Sequence, residues 1–208
     1  MSELYEKLAK KFGNRNVAEN SKNTVFSKRE WEYCITCGRK PVDLAILNKN
    51  DEILCCIHNH HDHIDEHLWD VYDQVNNDAT WTLEGGRVGP DNSGWYAWLH
   101  SLCDLMVRFQ ETEICSFCNE AEGAAKKIVG TDKAFSFSPL EMTQFIEAKE
   151  PGPVKILEDK AREIWESQKE GVAYRKKLAD RLAQLALDGK IGMVDIPLQL
   201  KAAHGESE

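Results

Sequence analysis

The chain has no run of about 18 apolar residues, which removes a membrane-spanning helix from consideration. Its first residues, Met1-Ser2-Glu3-Leu4-Tyr5, lack the apolar stretch of a secretory signal. No internal repeat and no low-complexity segment stands out, so neither a solenoid nor a compositionally biased linker is expected. Seven cysteines are an odd number, and two close pairs with two-residue spacing favour metal binding over a disulfide framework. A reducing, cytoplasmic setting follows as the expectation. The 208 residues suffice for one globular domain, or a compact domain with an appended helical part.

A general excess of positive charge is also missing. The formal net charge is −9, which argues against a protein that simply coats nucleic acid. The distribution is uneven: residues 1–40 hold nine basic and five acidic groups, whereas residues 41–110 hold three basic and twelve acidic. Phosphate neutralisation acts over a Debye length, so local patches matter more than the total. The basic candidates are Lys28/Arg29, Arg39/Lys40, Lys126/Lys127 and Arg175-Lys176-Lys177. Such runs usually form a solvated face, and only Lys126 and Lys127 are read as candidate DNA-phosphate contacts.

Leu4, Leu8 and Phe12 predict a helix over residues 2–12, ended by Gly13-Asn14. Ser27 is a candidate cap for a short helix leading to Cys34. Leu44-Ala45-Ile46-Leu47 and Ile53-Leu54-Cys55-Cys56-Ile57, separated by Asn48-Lys49-Asn50-Asp51, predict a β-hairpin whose return strand delivers the histidines of residues 58–63. Trp69, Trp81, Trp95 and Trp98 mark the following stretch and are expected in the core rather than as a base-stacking platform. A helix is expected from about Trp95 to Phe109. Another should begin near Cys115 and carry Asn119, Glu122 and Lys126. Ser138-Pro139-Leu140-Glu141 has the form of a capping box. Two further apolar stripes, around Ile156 to Trp165 and Leu178 to Ala186, complete a helical C-terminal part that stops at Gly189.

The chemistry is concentrated in three places. Cys34-Ile35-Thr36-Cys37 and Cys115-Ser116-Phe117-Cys118 supply two thiolate pairs, the ligand set of a closed structural zinc site. Between them stands His58-Asn59-His60-His61-Asp62-His63. Asn119 follows the second pair directly. Phosphodiester hydrolysis needs a base for the attacking water and a divalent ion for the developing charge. Histidine suits the first task, and Asp carboxylate with Asn amide oxygen suits magnesium or manganese for the second. Cys55, Cys56 and Cys103 remain as small hydrophobes.

At these residues the sequence resembles the HNH, or ββα-metal, endonucleases, nearest the phage recombination endonuclease VII group. The likeness lies in Cys34-x-x-Cys37-Gly38, His60-His61-Asp62-His63-Ile64 and Cys115-Ser116-Phe117-Cys118-Asn119-Glu120-Ala121-Glu122-Gly123, and covers roughly residues 30–70 and 113–130. It implies an α+β fold with a zinc-stapled ββα-metal core, metal-dependent DNA cleavage, and a phage or mobile-element origin. The corresponding division is 1–29 as an N-terminal helical segment, 30–130 as the nuclease domain with a tryptophan-rich insertion at about 68–112, and 131–208 as a C-terminal helical region. His63 lies much farther from Asn119 than is usual in the group, and the interrupting sequence is acidic.

Two catalytic registers are open. In one, Asp62 and Asn119 hold the divalent ion and His63 is the general base, preferred because a hard ion favours a carboxylate. In the other, His60 takes the metal position and His61 is the base. Glu122 either assists at the metal or favours the start of its helix. The expected substrate is DNA, branched or otherwise, with restriction or nicking as the alternative and a homodimer through the C-terminal helices. A reading of another class is a non-catalytic zinc module that binds DNA or a protein.

Overall fold

The computed structural model describes residues 2–13, 15–18, 31–78, 81–83, 86–88, 102–148 and 152–187. Ser27, Lys28/Arg29, Trp95, Trp98 and the expected stop at Gly189 lie outside them, as does the side chain of Trp81. The chain is a mixture of helices and small two-stranded sheets. It divides into two compact units that interleave along the sequence. One comprises Met1–His61, Glu111–Thr131 and Phe137–Glu166; the other comprises Asp62–Gln110, Asp132–Ser136 and Ser167–Glu208. No helix among the described residues is long and apolar enough to cross a membrane.

The first unit begins with α1 (Ser2–Phe12). Leu8 is buried at 1 % exposure, and the Gly13 amide bonds back to the Ala9 carbonyl at 2.8 Å. Gly13 takes a left-handed φ of 73°, which is cheap only for glycine and ends the helix. Pro41 starts a one-turn helix, α2 (Pro41–Leu44), because its fixed φ suits a first helical position. Leu44 therefore closes a helix, and the expected first strand shrinks to β1 (Ile46–Leu47), paired with β2 (Ile53–Leu54). The turn is built by the Asn48 side chain, whose Oδ1 accepts from the amides of Asn50 and Glu52 at 2.8 and 3.0 Å.

The histidine strand is not the return arm of that hairpin. It is a separate strand, β3 (Ile57–His60), and its partner is β6 (Thr112–Cys115), beyond the whole insertion. The two are antiparallel, with Ile57 opposite Cys115 and His60 opposite Thr112. From Cys115 the chain turns directly into α4 (Ser116–Val129), which packs on both strands and stops at Gly130 with φ 74°. Strand, strand and helix thus form one contiguous structural unit although their sequences are far apart. Ile57, Ile114, Ala121 and Ala125 are buried within it.

The capping box at Ser138 forms as its sequence requires. The Ser138 Oγ accepts from the Glu141 amide at 3.2 Å, and the Glu141 carboxylate accepts from the Ser138 amide at 2.7 Å. It opens α5 (Pro139–Phe145), which leads into β7 (Ile146–Glu147) and its partner β8 (Lys155–Ile156). The Phe145 ring meets Phe137 edge-on, with centroids 4.7 Å apart. The two apolar stripes expected near the C-terminus are largely two stretches of one helix, α6 (Glu158–Leu187), with Ile156 in the strand before it. Its lone interior glycine, Gly171, costs about 1 kcal/mol against alanine and does not interrupt it.

The second unit opens with α3 (Ile64–Asp78), followed by a hairpin of β4 (Trp81–Leu83) and β5 (Gly86–Val88). Ile64 and Leu68 are buried, and so are Leu102 and Met106 in a helical stretch over residues 102–106. Phe135, Val172, Ala179 and Leu182 belong to the same unit and are also buried.

Candidate metal centre and the histidine strand

The four cysteines converge. Cys34 Sγ lies 3.8 Å from Cys118 Sγ, and Cys37 Sγ lies 3.8 Å from Cys115 Sγ, with all four sulfurs within 4.8 Å of one another. A tetrahedron with metal–sulfur bonds of about 2.3 Å has edges of about 3.8 Å, so the group fits a zinc ion. Cys34, Cys115 and Cys118 are buried, and none of the seven cysteines is in a disulfide. The first pair sits in a knuckle closed by the Gly38 amide on the Cys34 carbonyl at 2.7 Å, with Gly38 at φ 71°. The second pair straddles the junction of β6 and α4, where Cys115 occupies the helix N-cap.

The sulfurs cannot all ionise unaided. Cys34 is pulled down to about 6 by hydrogen bonds from Cys115 and Cys118, and Cys37 is pulled down by the same two groups. Cys118 is pushed up by Cys115, Cys34 and Cys37. Four close acidic groups oppose one another's ionisation, which a shared cation would relieve. Arg39 adds positive charge. Expected on a solvated face, it is instead 8 % exposed. Its Nε donates to Cys37 Sγ at 3.4 Å, its Nη1 donates to the Gly152 carbonyl at 2.6 Å, and its guanidinium lies 5.1 Å from the Phe117 ring. Its position beside the second knuckle cysteine is the one sequence signal for this role.

Of the leftover cysteines, Cys55 and Cys103 are buried and raised to about 12 and about 11, first by desolvation. They are inert packing groups.

The histidines occupy different settings. His60 ends β3, is 3 % exposed and lies with Nε2 2.6 Å from the Phe137 carbonyl oxygen. A carbonyl only accepts, so Nε2 carries a proton. His61 follows the strand end and is half-buried in the first unit, which also contains Asn119 and Glu122. His63 belongs to the second unit, in the turn before α3, with Nδ1 3.8 Å from a Glu66 carboxylate oxygen. The strand stops at His60, and His61 and His63 follow it before α3.

Asp62 is 1 % exposed. Its Oδ2 accepts from the Arg108 amide at 2.8 Å, and its Oδ1 has no hydrogen-bond partner. Burial raises its pKa, opposed by the Arg108 amide and by the charges of Arg108 and Arg175. Asn119 is half-buried on α4, and Glu122 lies one turn further, on the same side. Glu122 is 5 % exposed, with its Oε1 3.3 Å from the Phe137 amide and 3.8 Å from Lys126 Nζ. Burial pushes its pKa up, while Lys126, the Phe137 amide and His61 oppose the shift. Phe137 therefore joins the strand to the helix, its carbonyl on His60 and its amide on Glu122, a link between distant residues that no local pattern announces. Lys126 is drawn toward Glu122, and Lys127 is exposed.

No family model matches the chain, and no curated protein and no solved structure matches it either, so the functional reading rests on this geometry.

Proposed function

We propose that the chain is a metal-dependent DNA endonuclease of the HNH type. The observation that supports this most is the β3–β6–α4 unit. Two antiparallel strands run straight into a helix, the first strand ends in His60-His61, the helix carries Asn119 and Glu122, and four sulfurs gather at the strand–helix junction.

In the proposed reaction His61 accepts a proton from the water that attacks phosphorus, and the 3′ oxygen departs in line. His61 is favoured over His63 because it follows the end of β3 directly and shares a unit with Asn119. Asp62 is buried and within electrostatic reach of Arg108 and Arg175, a poor setting for a dication. The second register is therefore preferred, with the Asn119 amide oxygen and the Glu122 carboxylate as hard donors beside His60. A bound magnesium or manganese ion would stabilise the charge developing on the phosphate and leaving oxygen. Zinc at the four cysteines would hold the start of α4 in place. Branched DNA is the first substrate to try, and a restriction or nicking role uses the same site.

The test is zinc-loaded protein with supercoiled plasmid and a synthetic four-way junction, in magnesium or manganese against chelator. Divalent-ion-dependent cutting of either DNA is expected. Folded, zinc-loaded protein that binds these DNAs without cutting them would replace the reading with a non-catalytic zinc module.

A further inference from the structure

Arg39 takes no part in the proposed reaction, yet its charged side chain is buried beside the four sulfurs. Its backbone belongs to the first knuckle. The Cys34 amide donates to the Arg39 carbonyl at 2.9 Å, so Arg39 is carried by the same loop that presents Cys34 and Cys37. Its side chain then reaches three segments of the first unit. Nε lies 3.4 Å from Cys37 Sγ in the first knuckle, and the guanidinium lies 5.1 Å from the ring of Phe117, inside the second. Nη1 donates to the Gly152 carbonyl at 2.6 Å, across 113 residues of chain.

Gly152 has a φ of 114°, a conformation that residues with a Cβ rarely adopt. Nothing stands within 4 Å of where its Cβ would be, so the backbone and not a neighbour requires the glycine. Shortly after it comes β8, which pairs with β7 and packs against α4. The Leu157 amide donates to the Phe145 carbonyl at 2.7 Å. The stretch from Gly152 to Leu157 is thus tied to the sulfurs through Arg39 at one end, and to β7 and the end of α5 at the other.

A metal ion would change what Arg39 binds. A coordinating thiol is deprotonated outright, so four sulfurs on one dication make a fixed anionic acceptor. A charge-assisted hydrogen bond to it is roughly twice as strong as a neutral one, and the planar fork that makes it has little freedom left. The second arm of that fork is the one on Gly152.

We propose that Arg39 couples a metal ion at the four sulfurs to the backbone at Gly152, so that metal occupancy sets the placement of the chain leading into β8. Coupling is reciprocal, so the Gly152 contact in turn strengthens metal binding. The inference rests on a metal ion at the sulfurs and is independent of DNA cleavage. The competing explanation is that Arg39 packs beside Phe117 and the sulfurs while Gly152 has no influence on them.

The experiment is a double-mutant cycle on the full chain, read as zinc affinity by competition with a chromophoric chelator. Wild type, Arg39→Ala, Gly152→Ala and the double variant are compared, with zinc content and a thermal melt of each. Gly152→Ala adds no contact to the sulfurs and acts on the carbonyl through φ. It should weaken zinc binding by about 5-fold or more in the wild-type background. When Arg39 is already alanine, the further loss should stay below about 2-fold. Unchanged affinity in Gly152→Ala, or equal losses in both backgrounds, would overturn the coupling and leave the metal site intact. Wild-type protein that binds no zinc would overturn both. If Arg39→Ala does not fold, Arg39→Lys takes its place in the cycle, since a point charge lacks the second arm of the fork and should abolish the Gly152 effect equally.

Discussion

The Sγ of Cys34 lies 3.8 Å from the Sγ of Cys118, although 84 residues separate them along the chain. That contact, with its counterpart between Cys37 and Cys115, joins the knuckle to the strand–helix junction that carries Asn119. A metal ion bound there would close a very long loop, so its removal should be felt through the whole first unit.

Purified protein should therefore contain one zinc per chain by elemental analysis. Cys118→Ser should lose it, with a large fall in stability, since structural sites of this kind contribute on the order of 10 kcal/mol in small metallodomains. Full retention of metal in Cys118→Ser would remove the four-sulfur site from the account.

Arg39 touches the cluster without being a ligand. Arg39→Ala should weaken zinc affinity by about 10–100-fold, the usual effect of losing a group that supports the ligands. Competition with a chromophoric chelator measures it, and an unchanged affinity would reduce Arg39 to its contacts with Gly152 and Phe117.

His60 is held by the Phe137 carbonyl. His60→Ala leaves that buried acceptor without its donor and should cost about 1–3 kcal/mol in urea unfolding, with or without magnesium. Unaltered stability would mean that the His60 ring is not committed to the fold.

Asp132 pairs with Lys176 at 2.9 Å. Desolvation raises its pKa, but the Ala134 amide and Lys176 outweigh it and hold it below the usual 3.8. The charged form is therefore favoured in the folded state. Its contribution is fully present above 3.8 and is lost as pH falls through the lower folded value. Asp132→Asn should flatten that acid limb by less than about 1 kcal/mol, because the pair is partly exposed. Unfolding curves through the acid range check the sign.

Local signals in the sequence were the legible ones. Leu4, Leu8 and Gly13 mark α1 to the residue, and Ser138, Pro139 and Glu141 mark the capping box. The cysteine spacing marks the four-sulfur group, which could hold a metal ion, before any fold is considered. Pairing of β3 with β6 was not legible, because its partner lies beyond the insertion and no turn residue links the two. α3 was not expected, although Ile64, Leu68 and Val71, with Asp65 and Glu66 in its first turn, carry a helical signal. The surroundings of Asp62 and His60 depend on Arg108 and Phe137, contacts made only once the chain is folded.

The central claim is tested most directly by plasmid nicking in magnesium or manganese, with Asn119→Ala, His61→Ala and His63→Ala compared at equal zinc content. The account predicts cutting by wild type, loss of cutting by about 100-fold or more in Asn119→Ala and His61→Ala, and retention in His63→Ala. Undiminished cutting by Asn119→Ala and His61→Ala would contradict a nuclease site on the β3–β6–α4 unit.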